Sequence, residues 1–259
     1  GSQTNTDDAK GEVVKQAFVP TEIREKDFAL GVLQGLVGIH MQVPPAFCAV
    51  KINGQPAYKR MRAGEEVELE ARQIEVYSAE LVNIIEASSV DEPNDSVSWI
   101  VDLSVSKGTF IRSIARDLGQ QLGTCAHLSG LARMSAGRIS LGECVSLETL
   151  EDLKESAALD PVRVLGFRFA YADDRADSVS NGAALSPDDV TLYESLASEA
   201  DDSLCACCAT ELVKSQRPPF DGELICVLVE NKLKGVYRYD SRYRCWKSDC
   251  VFAVGVSRG

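Results

Sequence analysis

The hydrophobic positions change period along the chain, and the changes mark its elements. From Ser96 to Val105 apolar residues recur at every second position, as Val97, Trp99, Val101, Leu103 and Val105. That alternation predicts a half-buried strand. Lys107-Gly108-Thr109 then reads as a tight turn, with Thr109 as the N-cap of a helix. Phe110, Ile114 and Leu118 follow at helical spacing, while Arg112 and Arg116 share a different face four residues apart. Gly119 is expected to interrupt this helix and Gly123 to end it. Strand, basic turn and helix place Lys107 and Arg112 close together. A fixed guanidinium beside a main-chain turn suits a carboxylate or a phosphate. The alternative is a surface arginine on an amphipathic helix.

The same reading extends upstream. Thr4–Gly11 is polar and turn-like, and Val13 and Val14 begin a short strand closed by Pro20. Arg24–Leu36 reads as a helix with Phe28, Val32 and Leu36 on one face and Gly38 as its stop. His40 falls in a loop. Pro44-Pro45 forces an extended segment. Phe47–Ile52 is a short strand, Asn53-Gly54 a turn, and Pro56–Arg62 a short helix carrying Tyr58, Lys59 and Arg62 outward. Glu66–Glu86 is strand-rich, and Ser88–Asp95 is an acidic loop.

Downstream, Ala136–Leu141 suggests a short strand, and Ser146 caps a helix over Leu147–Leu153. Composition changes after Leu165. Arg168–Ala172 alternates, Asn181-Gly182 is a turn, and Ser186–Ser203 is acidic. Leu224–Val229, Lys234–Tyr239, Cys245-Trp246 and Val251–Val256 then form several short strands, with turns at Asp221-Gly222 and Asp240-Ser241. This pattern predicts a compact all-β barrel.

The chain has 259 residues and 45% hydrophobic content, enough for one large domain or a large and a small one. No apolar run approaches a membrane span, and no secretory signal opens the sequence. Nine cysteines without a regular framework fit a reducing cytoplasm. A net charge of −12 argues by itself against nucleic acid. Its distribution changes that picture. Cys48–Arg62 carries Lys51, Lys59, Arg60 and Arg62 and no acid, and Ser106–Arg138 carries five basic residues against Asp117 alone. Two basic segments on an acidic body can bind an anion locally.

Four stretches carry a family resemblance. Gly1–Gly11 is similar to G-x-x-T-D-T-x-D-A-x-G, with Asn5 for the usual Asp. Val43-Pro44-Pro45 through Cys48, Lys51, Gly54, Tyr58 and Arg62-Ala63-Gly64 resembles V-P-P-x-x-S-A-x-K-x-x-G-x-x-x-Y-x-x-x-R-x-G, with Cys48 for Ser. Ser106–Arg112 resembles S-K-G-T-Y-I-R, with Phe110 for Tyr. Gly123–Arg133 resembles G-x-x-A-H-x-x-x-L-R-R, with Ala132 for the first Arg. In order and spacing these resemble the bacterial B-type tRNA pseudouridine synthases, which modify the T-loop uridine of tRNA (position 55). The Lys51–Gly54 and Tyr58 arrangement favours the branch that uses no guide RNA.

The resemblance implies an α+β fold: a partial mixed-sheet catalytic domain over 1–165, with a thumb-like loop at about 42–64, and a second domain over 166–259. The second resembles the small PUA-type β-barrel through Asn181–Leu185 and the strands around Leu228-Val229 and Leu233–Val236. The acidic insert Pro187–Asp202 departs from that type. The resemblance further implies that Arg112 pairs with a catalytic Asp, that Leu131 lies under the uracil, and that Phe110 keeps a ring but loses a hydroxyl. Lys107, Lys51, Tyr58, Lys59, Arg62, His127 and Arg133 would contact RNA, with a turn-capping role for His127 as the alternative.

The family's aspartate motif, G-x-L-D-P-x-A-x-G, is absent from these residues. The sequence therefore reads as a C-terminal portion lacking on the order of a hundred residues, inactive alone, with no acidic active-site partner for Arg112. A noncatalytic RNA-binding or chaperone-like protein is the alternative. Leu159-Asp160-Pro161 mimics the motif but lies after Arg112 in the chain and reads as a linker. The implied partner is the tRNA T arm, recognised by a monomer without a membrane or guide RNA. The chemistry needs no cofactor and no metal. Cys205-Ala206-Cys207-Cys208, with Cys226, Cys245 and Cys250, makes a poor zinc pattern, and reduced thiols are the expected state.

Overall fold

The computed structural model describes residues 1–52, 54–65, 67–87, 96–194 and 212–258. The acidic loop Ser88–Asp95 and Cys205–Cys208 lie outside the described residues. The chain forms two compact units, Gly1–Ala132 and Arg133–Gly259. Both combine helices and sheets, giving an α+β protein. No described helix is long and apolar enough to cross a membrane.

In the first unit, β1 (Ser2–Thr4) pairs antiparallel with β2 (Val13–Gln16). A 3-10 turn at Thr21–Arg24 leads into α1 (Lys26–Leu36), whose buried residues are Ala29 and Leu33. The expected Phe28 face is displaced by one position, and Phe28 is exposed. β3 (Gly38–Gln42) contains His40, which is strand rather than loop. The expected Phe47–Ile52 strand shrinks to β4 (Lys51–Ile52), paired with β5 (Gln55–Pro56). The residues before β4 bond elsewhere: Phe47 O accepts from Arg112, Cys48 O from Tyr58 N and Val50 O from Ala57 N. α2 spans Ala57–Arg62.

β6 (Arg72–Ala87) and β7 (Ser96–Val105) complete an antiparallel sheet in the order β3-β6-β7. The alternation read in β7 holds: Val97, Trp99, Val101, Leu103 and Val105 are all partly buried, between mainly exposed neighbours. Ile74, Val76 and Ile114 form the core on one face, joined by Leu36, Leu103, Val105 and Ile111. α3 (Ile111–Gln121) packs there. Phe110, not Thr109, is its N-cap, because Thr109 Oγ1 lies instead against Ser106 Oγ at 3.2 Å. Gly119 does not interrupt α3. It lets the helix press against another segment, since a Cβ there would lie 2.5 Å from Ala126 N. Packing overrides a helix-propensity loss of about 1 kcal/mol. Gly123, at φ +70, ends the helix as expected.

The second unit begins with a small hairpin, β8 (Ser135–Ala136) and β9 (Ile139–Ser140). α4 (Leu147–Leu153) follows, its Thr149 amide donating to the Ser146 side chain. α5 (Pro161–Leu165), β10 (Arg168–Tyr171), α6 (Ala176–Ser180) and β11 (Thr191–Tyr193) come next. β12 (Leu224–Val229), β13 (Lys232–Asp240) and β14 (Cys245–Val256) close the unit. They form one mixed sheet, order β11-β10-β12-β13-β14, with β10 and β12 parallel. Its outer strands carry single bridges, β11 through Tyr193 to Lys214 and β14 through Trp246 to Leu185, and among the described residues no closed barrel is found.

The run Leu-Ile-Cys-Val-Leu-Val of β12 is apolar throughout because both faces of the sheet are covered. Ile225, Val227 and Val229 point to the Trp246 and Tyr237 side, and Cys226 and Leu228 to the Phe169 and Val162 side. The two strands expected at Cys245-Trp246 and Val251–Val256 are one. β14 lies at the sheet edge, so its polar middle, Lys247–Asp249, faces solvent without breaking the pairing to β13.

Candidate active site around Arg112

The first turn of α3 is fixed by an amide clamp. Gln42 Oε1 accepts from Phe110 N at 2.9 Å, and Gln42 Nε2 donates to Phe110 O at 3.1 Å. Gln42 is 4% exposed, so both bonds are sheltered from water and lock the helix start to the end of β3. Ser113 Oγ, one turn on, donates to Val43 O at 2.9 Å.

From this platform Arg112 reaches two other segments. Its Nη1 donates to Thr6 O at 2.9 Å and to Asp8 Oδ2 at 3.2 Å, and its Nη2 donates to Phe47 O at 3.0 Å. Arg116 repeats the pattern one helical turn later. It donates to Asp7 Oδ2 at 3.0 Å, Val43 O at 2.9 Å and Asp117 Oδ1 at 2.8 Å. Asp7 is buried and holds φ +57, a left-handed conformation that Asp tolerates better than most residues. The turn itself is pinned from the far side, where Leu128 N donates to Asp7 O and Ala9 N to Leu128 O. All four sequence stretches singled out above therefore meet at one place.

Burial acts to raise the Asp8 carboxyl, but hydrogen bonds from Thr6 Oγ1 and Lys10 N and the Arg112 charge outweigh it. The carboxyl lies below its ordinary value and is ionised at neutral pH. Asp8 and Arg112 side chains keep 28% and 24% exposure, so the pair is open to a ligand. A guanidinium has five N–H groups, and three of the Arg112 donors are engaged. The other two have no hydrogen-bond partner among the described residues.

Arg112 has an acidic neighbour within these residues, Asp8, which the sequence reading did not anticipate. Asp8, Asp7, Gln42 and Ser113 were not singled out from sequence. Asp8 lies 104 positions from Arg112, and no periodicity connects them. For Asp7 and Asp8 the one signal was a pair of acids in the Thr4–Gly11 motif beside two arginines at helical spacing elsewhere in the chain; Gln42 and Ser113 had none.

Lys107 is exposed and has no ion-pair partner among the described residues. Lys51 and Lys59 are exposed, Tyr58 is partly buried, and the Arg62 guanidinium lies 5.6 Å from the Tyr58 ring centroid. Arg60, between them, is neutralised by Glu65 at 2.6 Å. His127 Nδ1 lies 2.9 Å from Ser2 O, the geometry of a turn tie. Leu131 is 62% exposed. Arg133 is exposed and opens the second unit.

Asp160 does more than link two segments. It caps α5 through Val162 N and is held by Arg258 at 2.6 Å, with 1% exposure. No cluster of three or more His, Cys, Asp or Glu suited to a metal occurs among the described residues.

Two consecutive family models match the chain. Residues 1–111 match the TruB family pseudouridylate synthase N-terminal domain, and residues 112–163 match the tRNA pseudouridylate synthase B C-terminal domain. The chain belongs to the TruB family. The boundary between the two matches falls at Arg112, so the Arg112–Asp8 pair joins them. Among relatives, a tRNA pseudouridine synthase B of Deinococcus radiodurans is 36% identical over 197 residues, covering 68% of this chain and 62% of that protein. One of Roseobacter denitrificans is 41% identical over 161 residues, covering 62% and 49%. One of Bacillus pumilus is 36% identical over 194 residues, covering 71% and 60%. The TruB chain thus spans about half to three-fifths of the length of the curated relatives it matches.

Proposed function

We propose that this TruB chain serves the isomerisation of the T-loop uridine of tRNA to pseudouridine, as a cytoplasmic monomer. The reading rests on one observation above the rest: a half-open, ionised carboxylate–guanidinium pair where the four family stretches converge. The reaction cleaves the N1–C1′ bond, turns the uracil and rejoins it through C5, whose proton then leaves. It requires a carboxylate near C1′, as nucleophile or as base toward the sugar, and a uridine flipped out of the folded RNA.

Arg112 is suited to hold such a carboxylate ionised and oriented. Asp8 and the carbonyls of Thr6 and Phe47 hold Arg112 in turn. The hairpin and helix carrying Lys51, Tyr58, Lys59 and Arg62 offer cations and a ring to an RNA backbone and loop. Leu131, Phe110, Lys107, His127 and Arg133 keep their proposed roles beside the uracil and the RNA. Residues 166–259 are proposed as a PUA-like RNA-binding domain.

The family's aspartate motif is not among the 259 residues, so these residues alone are expected to bind T-arm RNA weakly without turnover. The test is tritium release from T-arm RNA labelled at uridine C5. No release by the chain, with release restored when an aspartate-motif segment is supplied, supports the reading. Release by the chain alone, abolished in Asp8→Asn or Asp160→Asn, would place the reacting carboxylate within these residues. RNA binding with no release under either condition would favour a noncatalytic binder.

A further inference from the structure

Residues 164–259 lie beyond both family matches, and one end of their sheet carries two adjoining turns. The turn after β13 is tied by two carboxylates. Asp240 Oδ1 accepts from Arg242 N at 3.0 Å and Tyr243 N at 3.2 Å, and Asp221 Oδ1 accepts from Ser241 N at 2.9 Å. The last contact sets this turn beside the one that precedes β12. Gly222 N to Tyr239 O, at 2.9 Å, joins them again.

Each turn presents an exposed aromatic ring with a cation against it. Phe220 is 54% exposed with the Arg217 guanidinium 5.5 Å from its centroid, and Tyr243 is 61% exposed with Lys247 Nζ at 4.0 Å and the Arg242 guanidinium at 5.5 Å.

The acids nearby are held by local partners, although Asp221, which accepts from Ser241 N, is exposed and Asp240 is partly exposed. Glu223 is 5% exposed and bonded to Arg168 and Arg217, and Asp240 is bonded to Lys247 and the turn amides. Arg242 and Arg244 are exposed and have no carboxylate partner among the described residues.

We propose that these adjoining turns form an RNA-binding surface, with phosphates on Arg242 and Arg244 and an unstacked base on Phe220. The proposal rests on the reading of the chain as an RNA-acting protein and adds where its second unit takes hold. A solvated basic turn needs no aromatic residues, and two exposed rings each ordered by cations fit a base-and-phosphate ligand better. In a chain of net charge −12, exposed arginines with no carboxylate partner among the described residues are where a polyanion can approach.

The test is fluorescence anisotropy of the full chain with a labelled single-stranded oligouridylate of about twelve nucleotides, a few repeats of a typical site size, over a salt series. Arg242→Glu/Arg244→Glu is expected to weaken binding at least tenfold at low salt. It should also flatten the salt dependence by about one to two units of slope, at roughly 0.7 per phosphate contact. Phe220→Ala is expected to weaken binding severalfold with the slope unchanged. Arg175→Glu, on a surface arginine of the same unit, should change neither. Unaltered affinity in both tip variants overturns this inference while leaving the RNA reading intact. No binding of the oligouridylate by the unaltered chain overturns this inference, and no binding of T-arm RNA in the same assay overturns both. Equal binding of poly-glutamate with the same sensitivity to the variants would replace RNA by an acidic protein partner and overturn the inference.

Discussion

Arg112 Nη1 and Asp8 Oδ2 meet at 3.2 Å across 104 positions of sequence. The pair ties the first turn of α3 to the turn between β1 and β2. Its hydrogen bonds and the Arg112 charge depress the Asp8 carboxyl against the opposing effect of burial. A carboxyl with a depressed folded pKa contributes stability above its unfolded value of about 3.9, and that stability is lost as pH falls through the folded value. Asp8→Asn should therefore melt lower than the unaltered chain at pH 6, by the equivalent of under about 1 kcal/mol after solvent screening. The difference should vanish toward pH 2 in a melting series. A gap that persists at low pH would mean that the lost contribution is not electrostatic.

Gln42 holds the peptide of Phe110 with both ends of its amide. Gln42→Leu removes both bonds and leaves sheltered polar groups unsatisfied, at about 1–3 kcal/mol. Urea unfolding should show a lower midpoint with an unchanged slope. Gln42→Glu, which keeps an acceptor for Phe110 N, should recover part of the loss.

Gly119→Ala places a methyl 2.5 Å from Ala126 N and 2.7 Å from Ala126 Cβ. Helix propensity alone favours the alanine by about 1 kcal/mol, whereas overpacking opposes it by about 1–3 kcal/mol. The expected result is net destabilisation by thermal melting. A stabilised variant would show that the 125–126 segment yields easily.

Asp160 is 1% exposed and bonded to Arg258, whose guanidinium also lies 5.7 Å from the Phe169 centroid. Asp160→Asn leaves that cation without its counter-charge, and breaking a buried pair from one side costs about 3–5 kcal/mol. Arg258 keeps 13% exposure, so the lower end is expected, measured as a loss of denaturant midpoint.

Cys226 neighbours the same pair. Burial first, and then the Asp160 charge, push its thiol up to about 12. Alkylation with iodoacetamide at pH 8, followed by peptide mass mapping, should label the exposed Cys144 and Cys250 and spare Cys226 until the chain is unfolded. Labelling of Cys226 at the rate of Cys250 would show that this core opens readily.

The local elements were largely legible. The alternation at Val97–Val105, the helical spacing at Phe110–Leu118 and the turn at Asn181-Gly182 each arise from short-range sterics and one-sided burial, which leave a period in the sequence. Gly119 misled because a small residue means either a break or a close approach, and only the neighbouring segment distinguishes them. The closed barrel that was expected is not found among the described residues, for a related reason. Alternation shows that a segment is a strand but not whether the sheet closes.

The motif residues told which chemistry to look for, because Arg112, Lys51, Tyr58 and Arg62 are recognisable from order and spacing within one stretch at a time. The partner of Arg112, the clamp of Gln42 on Phe110 and the adjacency of Phe220 to the Arg242–Lys247 turn were not there to be read. Each is a contact between segments distant in sequence, and its energy depends on burial and distance. Those quantities come into being only when the chain has packed.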